Sequence, residues 1–122
     1  MDDRVTRERD WLLERVRASG GEPPDVSELR SEREGNDPVP LLRILERERL
    51  VVQVEPDRYY ASDTLDHLID RLRSGMVPGQ VYGPAELREI IGTSRKYLIP
   101  LLEYCDRQRI TERRSNGRVL AS

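Results

Sequence analysis

The chain is expected to be mainly α-helical with small β-hairpin wings, an α+β fold built as two tandem helix-turn-helix units. Three observations carry that expectation. Apolar residues recur at helical spacing in several short runs, and Gly, Pro or a capping residue separates each run from the next. Two pairs of strand-like runs flank tight turns: Leu50–Val54 with Arg58–Ala61, and Ile110–Arg113 with Arg118–Leu120. Finally, the order helix, helix, helix, hairpin occurs twice within 122 residues. Three helices closed by a hairpin form the winged-helix pattern, so two winged-helix domains are expected, residues 1–62 and 63–122.

The first unit opens with a helix over about Asp3 to Ala18. Val5, Trp11, Leu12, Leu13 and Val16 form its apolar stripe, and Gly20-Gly21 stops it. Arg4, Arg7, Glu8, Arg9 and Glu14 offer pairs three and four residues apart on the wet side. Trp11 reads as a core anchor. Pro23-Pro24-Asp25 begins a short second helix with Val26 and Leu29 inward, and Ser31 to Pro38 reads as a loop. A third helix, about Val39 to Arg49, carries Leu41, Leu42, Ile44 and Leu45. Leu50–Val54, the turn Glu55-Pro56-Asp57 and Arg58–Ala61 close the unit as a hairpin.

The second unit repeats this order. Asp63-Thr64 caps a helix with Leu65, Leu68, Ile69 and Leu72, ending at Gly75. A Pro/Gly-punctuated connector follows, with a minimal strand expected at Gln80-Val81-Tyr82. Pro84 sits in the first turn of the next helix, where its missing N–H matters least; Leu87, Ile90 and Ile91 are its buried side, and Gly92 ends it. Thr93 or Ser94 is expected to cap the last helix through its hydroxyl. Leu98, Leu101, Leu102 and Cys105 then recur at i, i+3, i+4 and i+7 on one face. Pro100 lies inside this helix and should bend it. An Asn-Gly hairpin turn at Ser115-Asn116-Gly117 forms the wing.

Composition narrows the function by where charge sits. Apolar and charged residues each make up 36% of the chain and the formal net charge is −2, so strong basicity overall is excluded. Residues 1–62 hold 11 Arg against 15 acids, whereas residues 91–122 hold 7 cations against 3 acids. The positive charge gathers at the C-terminal end, as suits a local anion-binding patch. Arg95, Lys96 and Arg118 are expected to converge on one surface, with Arg113 and Arg114 flanking it and Tyr97 available to stack on a base. Cys105 is the single cysteine and reads as a buried thiol; His67 reads as a surface residue without metal partners. No signal peptide or membrane-length apolar run is found, so a soluble cytoplasmic monomer is expected. No catalytic constellation, metal site or cofactor is expected.

The residues Ser94-Arg95-Lys96-Tyr97, Pro100-Leu101-Leu102-Glu103-Tyr104, Asp106, Thr111, Arg113 and Arg118-Val119 resemble the final winged-helix domain of the bacterial selenocysteine-specific translation elongation factor, SelB. Pro56 to Tyr60, with Gly21, Pro23 and Pro24, is similar to the preceding winged helix of that family. The resemblance implies a non-catalytic RNA-binding segment that grips the selenocysteine insertion hairpin of an mRNA, with the ribosome as a further partner. Taken with the charge placement, RNA contact is expected of Ser94, Arg95, Lys96, Tyr97, Arg113, Arg114 and Arg118. Two departures stand in the wing: Ser115-Asn116-Gly117 where the family often has Gly-Asp, and Glu112 where a basic residue is frequent. The family's GTPase activity is not expected here, because no Gly-rich loop followed by Lys-Ser/Thr is present. A winged-helix DNA-binding transcription regulator is the alternative reading, and a protein-interaction scaffold, suggested by the acidic first unit, is the third.

Overall fold

A computed structural model of the protein describes residues 2–33 and 36–121. They form two compact units, residues 1–65 and 66–122.

Unit 1 contains α1 (Asp3–Ala18), α2 (Val26–Glu32), α3 (Val39–Arg47), β1 (Val51–Glu55) and β2 (Arg58–Ala61). Asp2 caps α1 by accepting the Val5 N–H at 3.0 Å, and Gly20, at φ +58°, turns the chain away after Ala18. Asp25 and Glu28 form a reciprocal capping box at the start of α2. That helix runs to Glu32, two residues into the expected loop, whose centre (residues 34–35) lies outside the described residues. Helix α3 ends at Arg47, two residues short of expectation, because Arg49 takes a left-handed φ of +64°. The core joins Leu12, Leu13, Val16, Val26, Leu29, Leu42, Leu45, Val51, Tyr59 and Ala61. Trp11 packs against it half-buried, with the Arg33 guanidinium 4.7 Å above its ring. Strands β1 and β2 pair antiparallel, Val51 with Ala61, and a bulge between Gln53 and Glu55 adds a residue to β1.

Helix α4 (Ser62–Gly75) begins directly after β2 and carries the division between the units. Unit 2 continues with α5 (Pro84–Ile91), α6 (Arg95–Arg107), β3 (Thr111–Arg114) and β4 (Gly117–Leu120). Its buried residues include Leu68, Leu72, Met76, Tyr82, Leu87, Ile91, Leu98, Leu101, Leu102, Cys105 and Val119. The expected strand at 80–82 contracts to a single bridge, in which Tyr82 and Arg118 exchange two backbone hydrogen bonds of 2.9 Å.

The wing turn corrects the sequence reading. Arg114 pairs with Gly117, so Ser115 and Asn116 are the two central residues, one position earlier than an Asn-Gly turn. Among the described residues positive φ is confined to Gly20, Arg49, Gly79, Gly92 and Arg109, so Gly117 is not there for a left-handed turn. It is there for space: a Cβ at 117 would overlap the Tyr82 carbonyl oxygen and stand 2.8 Å from its carbon.

The two units repeat one another sixty residues apart. Arg49 and Arg109 are both left-handed, at φ +64° and +59°. Leu50 donates to Leu45 and Ile110 to Cys105, each at 2.9 Å. Arg58 and Arg118, the first residue of β2 and the second of β4, each form an isolated bridge to an earlier segment, Asp25 and Tyr82 respectively. Pro40-Leu41-Leu42 and Pro100-Leu101-Leu102 share the same spacing.

Candidate nucleic-acid interface

The candidate site is built on α6 and the hairpin that follows it. Helix α5 ends at Gly92, whose left-handed φ of +78° no other residue adopts as readily. Ser94 then takes the extended N-cap conformation, and its carbonyl accepts Tyr97 and Leu98 N–H at 3.1 and 3.2 Å. The expected hydroxyl cap is not formed: α6 has no side-chain cap hydrogen bond, and Thr93 Oγ1 is buried with no partner. The first backbone N–H groups of α6 have no acceptor within the helix, so its start keeps donors and the positive end of the dipole directed outward.

Leu98, Leu101, Leu102 and Cys105 are all buried, on the one face that their spacing indicates. Burial pushes the Cys105 thiol up to about 12, so it stays protonated and acts as a small apolar filler. The helix continues through Pro100 as a single element. Arg95 and Lys96 are exposed, and neither forms an ion pair among the described residues. Lys96 Nζ stands 5.4 Å from the centre of the half-buried Tyr97 ring. A shallow cleft of about 380 Å³, lined by Pro84, Ala85, Arg88, Arg95 and Leu98, brings Arg88 beside Arg95. Nothing in the spacing of α5 distinguishes Arg88 from a solvated charge, so the sequence reading missed it.

On the wing, Arg113 and Arg114 are both exposed although they are neighbours in a strand. A two-stranded ribbon has water on both faces beyond its anchored first residue, so alternation does not bury either side chain. Arg114 Nη2 is 2.9 Å from Glu112 Oε2 in an exposed pair, whereas Arg113 forms none among the described residues.

Arg118 departs from expectation. It is only 6% exposed, and its Nε donates to both carboxylate oxygens of Asp106, at 3.1 and 3.0 Å. Asp106 lies eleven residues beyond Arg95 in the same helix, roughly 16 Å along the axis. Arg118 is therefore held at the opposite end of α6 from Arg95 and Lys96, and the three do not converge. The reason is the bridge to Tyr82, which turns the start of β4 into the interior, where its guanidinium needs an anion, here the half-buried Asp106. Arg107 faces the Tyr104 ring at 6.0 Å, consistent with its reading as a helix C-terminal charge.

Residues 80–120 match the family described as elongation factor SelB, winged helix. The chain carries a SelB winged helix. Over 112 residues, 89% of its length, the chain is 32% identical to the selenocysteine-specific elongation factor of Desulfomicrobium baculatum, of which it spans 18%. The fold matches the mRNA-binding domain of elongation factor SelB from E. coli, solved in complex with SECIS RNA, with a TM-score of 0.78 and 25% identity. That match covers 99% of this chain and 100% of the other. A bacterial selenocysteine-specific elongation factor, EF-Sec, shares the fold at a TM-score of 0.76 and 21% identity, over the whole of this chain and 20% of that one. Among the described residues no helix is long and apolar enough to cross a membrane, and no group of His, Cys, Asp and Glu is placed to hold a metal ion.

Proposed function

We propose that this chain is the mRNA-binding segment of a selenocysteine-specific elongation factor, gripping the selenocysteine insertion hairpin during UGA-directed selenocysteine incorporation in the cytoplasm. The observation that carries this reading is the end-to-end likeness to a domain solved with its SECIS RNA, in a chain whose exposed Arg95 and Lys96, without ion pairs among the described residues, stand at the start of α6. Two winged helices in tandem, residues 1–62 and 63–122, are the architecture we infer, supported by the sixty-residue internal repeat.

The grip is physical and needs no catalysis. Arg95 and Lys96 hold phosphates together with the open N–H groups of the helix start, and Ser94 lines that seat. Tyr97 stacks on an unpaired base, worth about 1–3 kcal/mol by truncation. Arg113 and Arg114 follow the backbone from the wing, and Arg118 acts from inside through Asp106. A-form RNA offers side chains little in its deep major groove, so the loop and its displaced bases are what such a surface can read. Titration against a selenocysteine insertion hairpin, a loop-scrambled hairpin and duplex DNA tests this. Preference for the first is expected; equal affinity for the first two refutes loop reading, and preference for duplex DNA indicates a transcription regulator.

A further inference from the structure

A single carboxylate joins α6 to both strands of the wing. Asp106, in the last turn of α6, accepts the Thr111 hydroxyl of β3 at 2.6 Å and the Arg118 Nε of β4 at 3.0 Å. Thr111 and Arg118 are 1% and 6% exposed, so water competes little for these bonds. The backbone of Arg118 is held at the same time by its two bonds to Tyr82. Unit 1 arranges the corresponding groups differently. Glu46, sixty residues before Asp106, accepts the Gln53 backbone N–H at 3.2 Å. Arg58, sixty before Arg118, bonds Glu55 in its own hairpin at 2.7 Å and also the Pro23 carbonyl. Burial of the wing arginine thus belongs to the shared scaffold, while in unit 2 it is joined to the helix acid.

The register shows what that link controls. Arg118 stands opposite Arg113 in the β3–β4 pairing, so the residue anchored inside is the cross-strand partner of the wing's unpaired outer cation. An isolated two-stranded hairpin is marginal in water, and its angle to the helix has to be set by something outside the ribbon.

We propose that Asp106 and Arg118 are positioning residues for RNA binding, holding the wing to α6 so that Arg113 meets the same backbone that Arg95 and Lys96 grip. This inference rests on the RNA-binding reading above. The test is a double-mutant cycle on the full chain, titrated with the selenocysteine insertion hairpin: wild type, Arg113→Ala, Asp106→Asn and both together, each with a thermal melt. Asp106→Asn is expected to weaken binding about tenfold while the chain still melts cooperatively. Arg113→Ala is expected to weaken binding about fivefold in the wild type and less than twofold beside Asp106→Asn, since a wing already misplaced has little left to lose.

Equal effects of Arg113→Ala in the two backgrounds overturn the inference, because a purely structural role lowers stability without coupling to a remote phosphate contact. Arg118→Lys, which keeps the charge and loses the guanidinium fork, provides the second variant; wild-type affinity in it also overturns the inference. Loss of cooperative melting in both variants reduces the pair to a folding determinant and overturns the positioning role. A wild-type chain that does not prefer the hairpin to its scrambled form defeats the functional reading first, and this inference with it.

Discussion

The two units share a scaffold and differ at the start of one helix. In unit 1, α3 begins at Val39, and Pro40 occupies its second position, where a proline is tolerated. In unit 2 the corresponding Pro100 is the sixth residue of α6, because that helix begins at Arg95. Unit 2 has gained one N-terminal turn, and that turn is Arg95-Lys96-Tyr97-Leu98. Unit 1 has Asn36-Asp37-Pro38 ahead of its helix, and Asp37 accepts the Val39 N–H at 3.1 Å and pairs with Arg30 at 3.0 Å. The hydrogen bond from the Val39 backbone N–H, then that from the Arg30 side chain, holds the Asp37 carboxyl below its ordinary value. One helix start is neutralised by its own chain; the other presents cations and open donors. Under the proposed function, one turn of sequence separates a helix start closed to anions from one open to them.

The scaffold half of this comparison can be broken most severely in the core. Leu42 and Leu102 are both fully buried and sixty residues apart, so Leu42→Ala and Leu102→Ala should each destabilise their own unit by about 2–5 kcal/mol. Hydrogen exchange resolved by unit measures this, and a large loss in only one would end the equivalence. The functional half is tested at the extra turn. Replacing Arg95 and Lys96 together by Ala should leave the melt unchanged, weaken hairpin binding by about 1–3 kcal/mol, and reduce the salt dependence by the roughly 1.4–1.8 expected for two phosphate contacts. Asp37→Ala should leave hairpin affinity unmoved.

A third test concerns the wing. Gly117→Ala forces a methyl group against the Tyr82 carbonyl and should cost about 1–3 kcal/mol, read as a lower melting temperature and faster exchange at the Tyr82 and Arg118 amides. Asp57 occupies the equivalent place in unit 1, and Asp57→Ala should leave the Val26–Asp57 backbone bond in place. The smallest effect is acid sensitivity. Among the described residues the carboxyls held below their ordinary values are Glu8, Glu32, Asp37 and Glu48, all in unit 1; hydrogen bonds from Arg33, Arg15 and Arg9 are the main causes for the three glutamates. A depressed folded pKa contributes stability at neutral pH that is lost as pH falls through the carboxylate range. Unit 1 should therefore loosen before unit 2 between about pH 6 and pH 3, and only slightly, because these pairs face solvent.

How much could be read in advance varied with the kind of residue. Helix α1 was legible because its apolar stripe and the Gly20-Gly21 stop are local signals, and the buried face of α6 because its period is unmistakable. The end of α3 was not, since nothing in an arginine announces a left-handed φ. Gly117 was misread for the complementary reason: its sequence context suggests a turn, while its role is to admit the Tyr82 backbone. Arg118 and Arg113 look alike in the sequence. Only the bridge to Tyr82 separates them, sending one guanidinium to Asp106 and leaving the other in water.

By itself the sequence determined the helices, the two hairpins, the doubled order and the family likeness, because periodicity, caps and motif spacing act over a few residues. The tertiary structure decided which of the clustered cations remain free. Whether an arginine is buried against a carboxylate or exposed to a partner depends on which strand crosses beside it, and that neighbour lies tens of residues away in the chain.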